Sequence, residues 1–123
     1  MIEVLNNKDK LEGYIDGKKY LNKKKKLLGF IENNEFKDKS DYTLLILKEN
    51  GDITWNEGEK QGYLKEGKIY SSIDDRLIYK FKKNDGQILD SKGNIILYFK
   101  GDFKNLEDLD FFGIAGQFLE LFA

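Results

Sequence analysis

The strongest constraint on the fold is a repeat of 16 to 18 residues that runs through most of the chain. Large apolar residues recur at steps of 16, 16, 17, 17 and 18, at Ile15, Ile31, Leu47, Leu64, Phe81 and Phe99. A fixed period of this kind indicates that one small structural unit is repeated and that neighbouring units bury a continuous core.

Each repeated apolar residue is followed by a turn and then by another apolar residue. The turns contain Gly or Asn, which tolerate the positive φ of tight hairpins: Asp16-Gly17, Asn33-Asn34, Asn50-Gly51, Glu66-Gly67, Asp85-Gly86 and Gly101-Asp102. The residues that open the return strands are Tyr20, Phe36, Ile53, Ile69, Ile88 and Phe103. A unit is therefore a hairpin of two short strands, and about six units predict about a dozen strands.

A second uncharged row lies two residues before the first, and this row also favours packed hairpins. Its members are Gly13, Gly29, Leu45, Gly62, Tyr79 and Leu97. Residues two apart share one face of a strand, so both rows point to the same interior. Isolated hairpins are marginally stable and leave exposed edges. We therefore predict an all-β domain over residues 1–104, closed as a barrel or flower; an open sheet with covered ends is the alternative.

The last residues, 105–123, break the period and predict one α-helix. Asn105 is the expected N-cap, and Glu107, Asp108 and Asp110 suit the positive end of the helix dipole. At 100° per residue, one broad apolar face contains Phe111, Phe112, Ile114, Ala115, Phe118, Leu119, Leu121 and Phe122, with Asp110, Gln117 and Glu120 opposite. Such a helix is expected to plug the barrel, to cover it as a lid, or to contact another subunit.

Residue types exclude many kinds of chemistry. The chain has no Cys and no His, which excludes thiolate, imidazole and Ser-His mechanisms and the usual zinc sites. No phosphate-binding loop, nucleophile elbow or dinucleotide motif occurs. No segment approaches the roughly 20 apolar residues of a membrane span, and the N-terminus lacks the pattern of a signal peptide. We expect a cytoplasmic protein without a cofactor, catalytic residue or metal site.

The opposite strand face carries an aromatic row that is a candidate contact surface. The row reads Tyr14, Phe30, Ile46, Tyr63, Lys80 and Tyr98. Aromatic faces stack on sugars, bases or peptides, but cross-strand packing explains such a row more simply. Other possible contact residues are the sole Trp, Trp55, and Phe111, Phe118 and Phe122 of the helix.

Charged clusters carry weaker functional signals. Lys23–Lys26 could bind phosphates or an acidic membrane, but a solvated loop is the simpler interpretation, and nucleic-acid readers rely on Arg, of which Arg76 is the sole example. Asp74-Asp75 and the pair Glu57 and Glu59 could provide acid/base catalysis, yet both fall in turns where acids are expected for local reasons.

The stretches LEGYIDGKKYL, LLGFIENNEFK and KQGYLKEGKIY resemble the four-fold β-flower domain, a bacterial family of repeated short hairpins, over roughly residues 2–104. The resemblance implies a hairpin barrel and no catalytic residues. Leu45 and Tyr79 replace the Gly of the pattern in units three and five. The final segment is also similar to the tubby-like scramblase fold, in which a strand barrel surrounds an apolar C-terminal helix.

These observations lead to three functional hypotheses. The first is a non-enzymatic binding or assembly module that buries its apolar surfaces against an identical subunit or another protein. The second is a carrier of a small ligand or lipid with the helix in the barrel. The third is a hydrolase that uses carboxylates such as Asp74 and Asp75, which requires two acids that converge in a cleft.

Overall fold

A computed structural model describes residues 1–122 and shows twelve β-strands followed by an α-helix. The strands are β1 (Ile2–Asn6), β2 (Leu11–Asp16), β3 (Lys19–Leu21), β4 (Leu27–Glu32), β5 (Glu35–Asp38), β6 (Thr43–Leu47), β7 (Asp52–Trp55), β8 (Lys60–Lys65), β9 (Lys68–Ser71), β10 (Leu77–Lys82), β11 (Gln87–Asp90) and β12 (Ile95–Lys100). A short 3-10 turn, Lys83–Asp85, joins β10 to β11, and the helix α1 spans Asp108–Phe118. The predicted all-β fold with one C-terminal helix is confirmed.

The strands form a closed antiparallel barrel in which each strand pairs with its neighbours in sequence. Closure comes from β1, which pairs with β12 and places Val4 opposite Phe99. We predicted that Phe103 opens the sixth return strand, and this is wrong because β1 takes that position. Phe103 lies outside any strand, and its ring covers Gly86, where an added Cβ would lie 2.9 Å from ring carbons.

The two predicted inner rows face the interior of the barrel. Ile15, Ile31, Phe81 and Phe99 are at most 6% exposed, while Leu47 and Leu64 are half-buried against the same core. The glycines of the second row leave room for the C-terminal segment. An added Cβ would lie 2.8 Å from the Phe118 ring at Gly13 and 2.4 Å from the Phe122 ring at Gly62.

A β-bulge interrupts every ladder that joins one hairpin unit to the next. The register shifts lie after Val4, Tyr20, Phe36, Ile53 and Ile88, and between Leu77 and Tyr79. Each bulge adds one residue to the following strand, as Leu28 in β4 and Leu44 in β6. Bulges increase the local bend and twist of a sheet, and their regular placement accounts for its closure into a barrel.

The helix α1 lies inside the barrel and fills it. Phe111, Phe112, Ile114 and Ala115 are all 0% exposed and belong to the same core as the inward-facing strand residues. The Phe111 ring stacks on Phe81 with centroids 5.0 Å apart. The helix was expected to plug the barrel, to cover it as a lid or to contact another subunit, and in the structure it plugs the barrel.

The start of the helix differs from the expectation in two respects. Glu107 is the N-cap in place of Asn105, and its backbone N–H donates to Asp110 Oδ2 at 2.9 Å. Asp110 was expected on the exposed side, but it is 4% exposed, and Lys18 Nζ lies 2.7 Å from its Oδ1. The carboxylate faces inward because it satisfies both the helix terminus and a lysine from the β2–β3 turn.

Candidate binding face at one end of the barrel

The two ends of the barrel have different constructions. The hairpin end contains the turns within units, such as Asp16-Gly17, together with the start of the helix. The turn end contains the six turns between units, at residues 7–10, 22–26, 39–42, 56–59, 72–76 and 91–94. Because the barrel closes in sequence order, these six turns form a ring in the same order.

A side-chain oxygen closes most turns of this ring. The Oδ1 atom of Asn6 accepts hydrogen bonds from the backbone N–H groups of Lys8 and Lys10, at 2.9 and 3.1 Å. Asn22, Asp38 and Asp90 accept the equivalent pairs of hydrogen bonds. Ser71 accepts one, from the N–H of Ile73. Asn, Asp and Ser are favoured here because their short side chains can bond to the backbone two residues later.

Trp55 occupies this position before the fourth turn of the ring, at residues 56–59. Its backbone makes the usual turn, with N–H to Glu59 O and Gly58 N–H to Trp55 O, both at 2.9 Å. An indole has no acceptor oxygen, so the side chain contributes nothing to closing the turn. It lies half-buried against the core instead.

Trp55 lines a cleft of about 460 Å³ between the barrel wall and the last turn of the helix. Apolar walls predominate, and the described lining residues are Leu28, Phe36, Asp38, Leu44, Leu45, Trp55, Gly116, Gln117, Glu120 and Leu121. Trp55 and Leu44 separate it from a smaller cleft of about 250 Å³ that also includes Tyr42, Thr43, Asn56, Glu57 and Glu59. We call the two together the Trp55 cleft.

The Trp55 cleft is acidic at its rim. Its described lining contains Asp38, Glu57, Glu59 and Glu120 and no Lys or Arg. Asp38 already accepts hydrogen bonds from its own turn, whereas Glu57, Glu59 and Glu120 are exposed. An apolar floor with an acidic rim suits a ligand that is apolar in part and positively charged in part.

The predicted aromatic row lies on the outer wall and is used for packing between strands. Tyr14, Phe30, Tyr63 and Tyr98 lie opposite Leu21, Lys37, Tyr70 and Leu5 of the adjacent strands. Tyr63 stacks on Tyr70 with centroids 5.0 Å apart, and Lys25 Nζ lies 5.4 Å from the centre of the Tyr14 ring. The row is spread over β2, β4, β8 and β12, so its members do not form one platform.

Two of these tyrosines are also fixed by aspartates of the turn end. Tyr98 donates its hydroxyl proton to Asp9, and Tyr63 donates to Asp75 at 3.0 Å. The hydrogen bond to Asp9 raises the pKa of Tyr98, because it is lost when the hydroxyl ionises. Partial burial, with the bond to Asp75, raises the pKa of Tyr63. These two hydrogen bonds therefore link the outer wall of the barrel to the turns at its turn end.

The three helix-segment residues expected as contacts lie in or against the core. Phe111 is 0% exposed and has no surface to offer a partner. Phe118 packs edge-on against Tyr20, with centroids 6.2 Å apart, and Phe122 lies over Gly62. Trp55 alone among the predicted contact residues lines the cleft.

The carboxylate pairs do not converge. Asp74 accepts the backbone N–H of Arg76 at 3.1 Å, and Asp75 accepts the Tyr63 hydroxyl. Glu57 and Glu59 lie on a different turn, and all four carboxylates are exposed. The geometry that the hydrolase hypothesis requires is therefore not found at these residues.

Comparisons with protein-family models, curated proteins and solved structures find no match to this chain. Within residues 1–122, no helix is both long enough and apolar enough to cross a membrane.

Sequence reasoning identified Trp55 but missed its surroundings. Leu28 and Leu44 enter the cleft as the extra residues of β-bulges, which strict alternation does not reveal. Gln117 and Glu120 join them because the helix runs down the barrel to this end. One available signal was the aligned repeat, in which Trp replaces the Asn or Asp that opens other inter-unit turns.

Proposed function

We propose that the protein is a non-enzymatic binding module that takes an apolar, basic segment of a protein into the Trp55 cleft. The observation that carries this proposal is the replacement of a turn-closing Asn or Asp by a half-buried Trp that lines the cleft. Tryptophan is enriched among the residues that contribute most to binding between proteins. The Trp55 cleft has an apolar floor and an acidic rim. The expected ligand is therefore a peptide segment that contains large aliphatic side chains such as Leu together with Lys or Arg.

The carrier hypothesis receives less support from the same geometry. A barrel carrier needs room for a ligand among its inward-facing side chains. In this barrel the space around Phe111, Phe112 and Ile114 is occupied by the helix and the packed strand residues, all three being 0% exposed.

The proposal is tested with the Trp55→Asn variant, which places before the turn at 56–59 the residue type that closes the turns at 7–10 and 22–26. Asn can form the missing turn hydrogen bonds, so the variant is expected to fold. The probe is a short peptide of alternating Leu and Lys, titrated by calorimetry. Loss of a central Trp contact costs about 2 kcal/mol, so we expect about 30-fold weaker binding by Trp55→Asn.

Two controls make the experiment specific. Tyr14→Ser removes an aromatic residue from the outer wall and should bind the peptide as the wild type does. A peptide with Glu in place of Lys should bind more weakly, because the rim is acidic. Since Trp55 is the sole Trp, a shift of wild-type emission on binding reports the site directly. Equal affinity of wild type and Trp55→Asn would contradict the proposal.

A further inference from the structure

The ring of turns at the turn end is divided into a basic half and an acidic half. The basic half consists of the turns at 91–94, 7–10 and 22–26, which are neighbours in the ring and carry seven Lys and one Asp. The acidic half consists of the turns at 39–42, 56–59 and 72–76, with one Lys, one Arg and five acids. The net charges are therefore 7 − 1 = +6 and 2 − 5 = −3. All of these charged residues are exposed.

The most exposed apolar side chains of this end lie in the acidic half, while Ile95, next to the 91–94 turn of the basic half, is 39% exposed. Tyr42 is 53% exposed and Ile73 is 93% exposed, and Trp55 lies on the strand between their turns. Tyr42 lines the Trp55 cleft, and Ile73 lies on the turn next to the one at 56–59 that also lines it, so the exposed apolar side chains and the cleft together form a candidate interaction surface. The most exposed apolar side chains of this end and its negative charge thus occur on the same three turns.

We infer that the turn end is the interface of a symmetric dimer, in which the acidic half of each subunit contacts the basic half of the other. This inference rests on the proposed function and names the ligand as a second copy of this chain. A two-fold axis that lies in the interface, along the boundary between the halves, places each acidic half over a basic half. Such an interface is isologous, with the same patch used twice.

The basic half has the chemistry that the Trp55 cleft accepts. Lys23–Lys26 are exposed, and Leu27 beside them is half-buried, whereas Leu21 is buried. A lysine ammonium can lie over an indole ring while its aliphatic stem covers apolar surface. Each dimer contains this contact twice, and the opposite charges favour the two-fold arrangement over one that superposes like halves.

The test uses charge reversal on the two halves separately. The acid-reversed variant carries Glu57→Lys and Glu59→Lys, and the base-reversed variant carries Lys23→Glu and Lys24→Glu. Sedimentation should show a wild-type dimer that dissociates with added salt, and at least 10-fold weaker self-association for each variant. An equimolar mixture of the two should form a heterodimer more readily than either variant self-associates, because the unchanged basic half of the acid-reversed subunit then contacts the unchanged acidic half of the base-reversed subunit.

A matched control places the same charge change at the hairpin end. Lys48→Glu with Lys65→Glu replaces two exposed lysines there, and it should leave the dimer unchanged. Circular dichroism should show that all variants fold, because exposed charge substitutions have small effects on stability. Trp55→Asn should also weaken the dimer.

The outcomes separate this inference from the proposed function. A wild-type chain that stays monomeric at low salt, or reversed variants that fail to pair, overturns the dimer. If the monomer still binds the Leu-Lys peptide, the cleft remains a protein-binding site for another partner. If it binds neither itself nor the peptide, both proposals are wrong. Binding of the basic half to anionic vesicles by a monomeric chain would assign that half to lipid headgroups instead.

Discussion

At the scale of single residues, Tyr20 shows how tightly the barrel encloses its helix. Its side chain is 1% exposed, and its hydroxyl lies 3.4 Å from the backbone oxygen of Asp110, a long hydrogen bond. Burial raises the pKa of Tyr20 well above the ordinary value of 10.0, and the nearby Asp110 carboxylate adds to the effect. Both causes act in one direction because each disfavours a phenolate in the core.

This shift predicts a dependence of stability on alkaline pH. Below about pH 10 both folded and unfolded chains keep the Tyr20 proton, and the stability is fully present. As the pH rises above 10, the unfolded chain releases the proton while the folded chain retains it, so stability falls by about 1.4 kcal/mol per pH unit. Tyr20→Phe should lose about 1.4 kcal/mol less per pH unit above pH 10 than the wild type, because the raised pKa values of Tyr63 and Tyr98 still contribute to the loss. The substitution should cost about 1 kcal/mol near pH 7.

Urea unfolding followed by circular dichroism between pH 7 and pH 11 measures the effect. Tyr42→Phe is the matched control, because Tyr42 is 53% exposed, and it should keep the wild-type slope above pH 10. Parallel stability curves for wild type and Tyr20→Phe would show that the hydroxyl of Tyr20 ionises equally in both states, against the prediction.

At the scale of elements, the fit of the helix against the wall depends on Gly113. A Cβ added there would lie 1.9 Å from the Tyr20 hydroxyl oxygen and 2.7 Å from two Ile31 carbons. Gly113→Ala would gain about 1 kcal/mol of helix propensity. Overpacking costs about 1–3 kcal/mol, and both Tyr20 and Ile31 are buried in the core, so we expect a net loss of stability.

A double-mutant cycle locates the cause of that loss. In a Tyr20→Phe background the nearest atom is absent, so Gly113→Ala should cost about 1 kcal/mol less than in the wild type. Thermal and urea unfolding of the four chains supply the cycle. Additive effects of the two substitutions would mean that Gly113 is required for a reason other than contact with Tyr20.

The elements also show which parts of the fold were accessible from the sequence. Hairpins were predicted correctly because their turn residues and strand alternation are local. The pairing of β1 with β12, which takes the place expected for a strand at Phe103, could not be predicted because it joins segments that are far apart in the sequence. Asn105 has the residue type of an N-cap, but Glu107 takes that role. Asp110 determines this position, because its carboxylate accepts the Glu107 N–H and pairs with Lys18. The bulge residues Leu28 and Leu44 could not be predicted either, because they depend on the register between neighbouring strands.

At the scale of the whole molecule, twelve strands enclose more space than side chains alone can fill. A barrel of about eight strands is already filled by its inward side chains, and diameter grows with strand number. The extra volume here holds α1, from which Phe111, Phe112 and Ile114 are fully buried. Burying three such side chains contributes about 5–9 kcal/mol, which is comparable to the total stability of a domain of this size.

A chain that ends at Lys104 is therefore expected not to fold cooperatively, although it keeps all twelve strands. Without the helix the inner rows would face a wide, water-filled cavity, and the glycines at 13, 29 and 62 would contribute no side chain to fill it. Addition of a peptide of residues 105–123 should restore part of the cooperative transition, because the hairpins supply the complementary surface. Circular dichroism and calorimetric unfolding, with a peptide carrying Phe111→Asp as control, measure this. A truncated chain that unfolds cooperatively with stability within about 2 kcal/mol of the wild type would show that the strands close around a core of their own, and that the helix adds little to it.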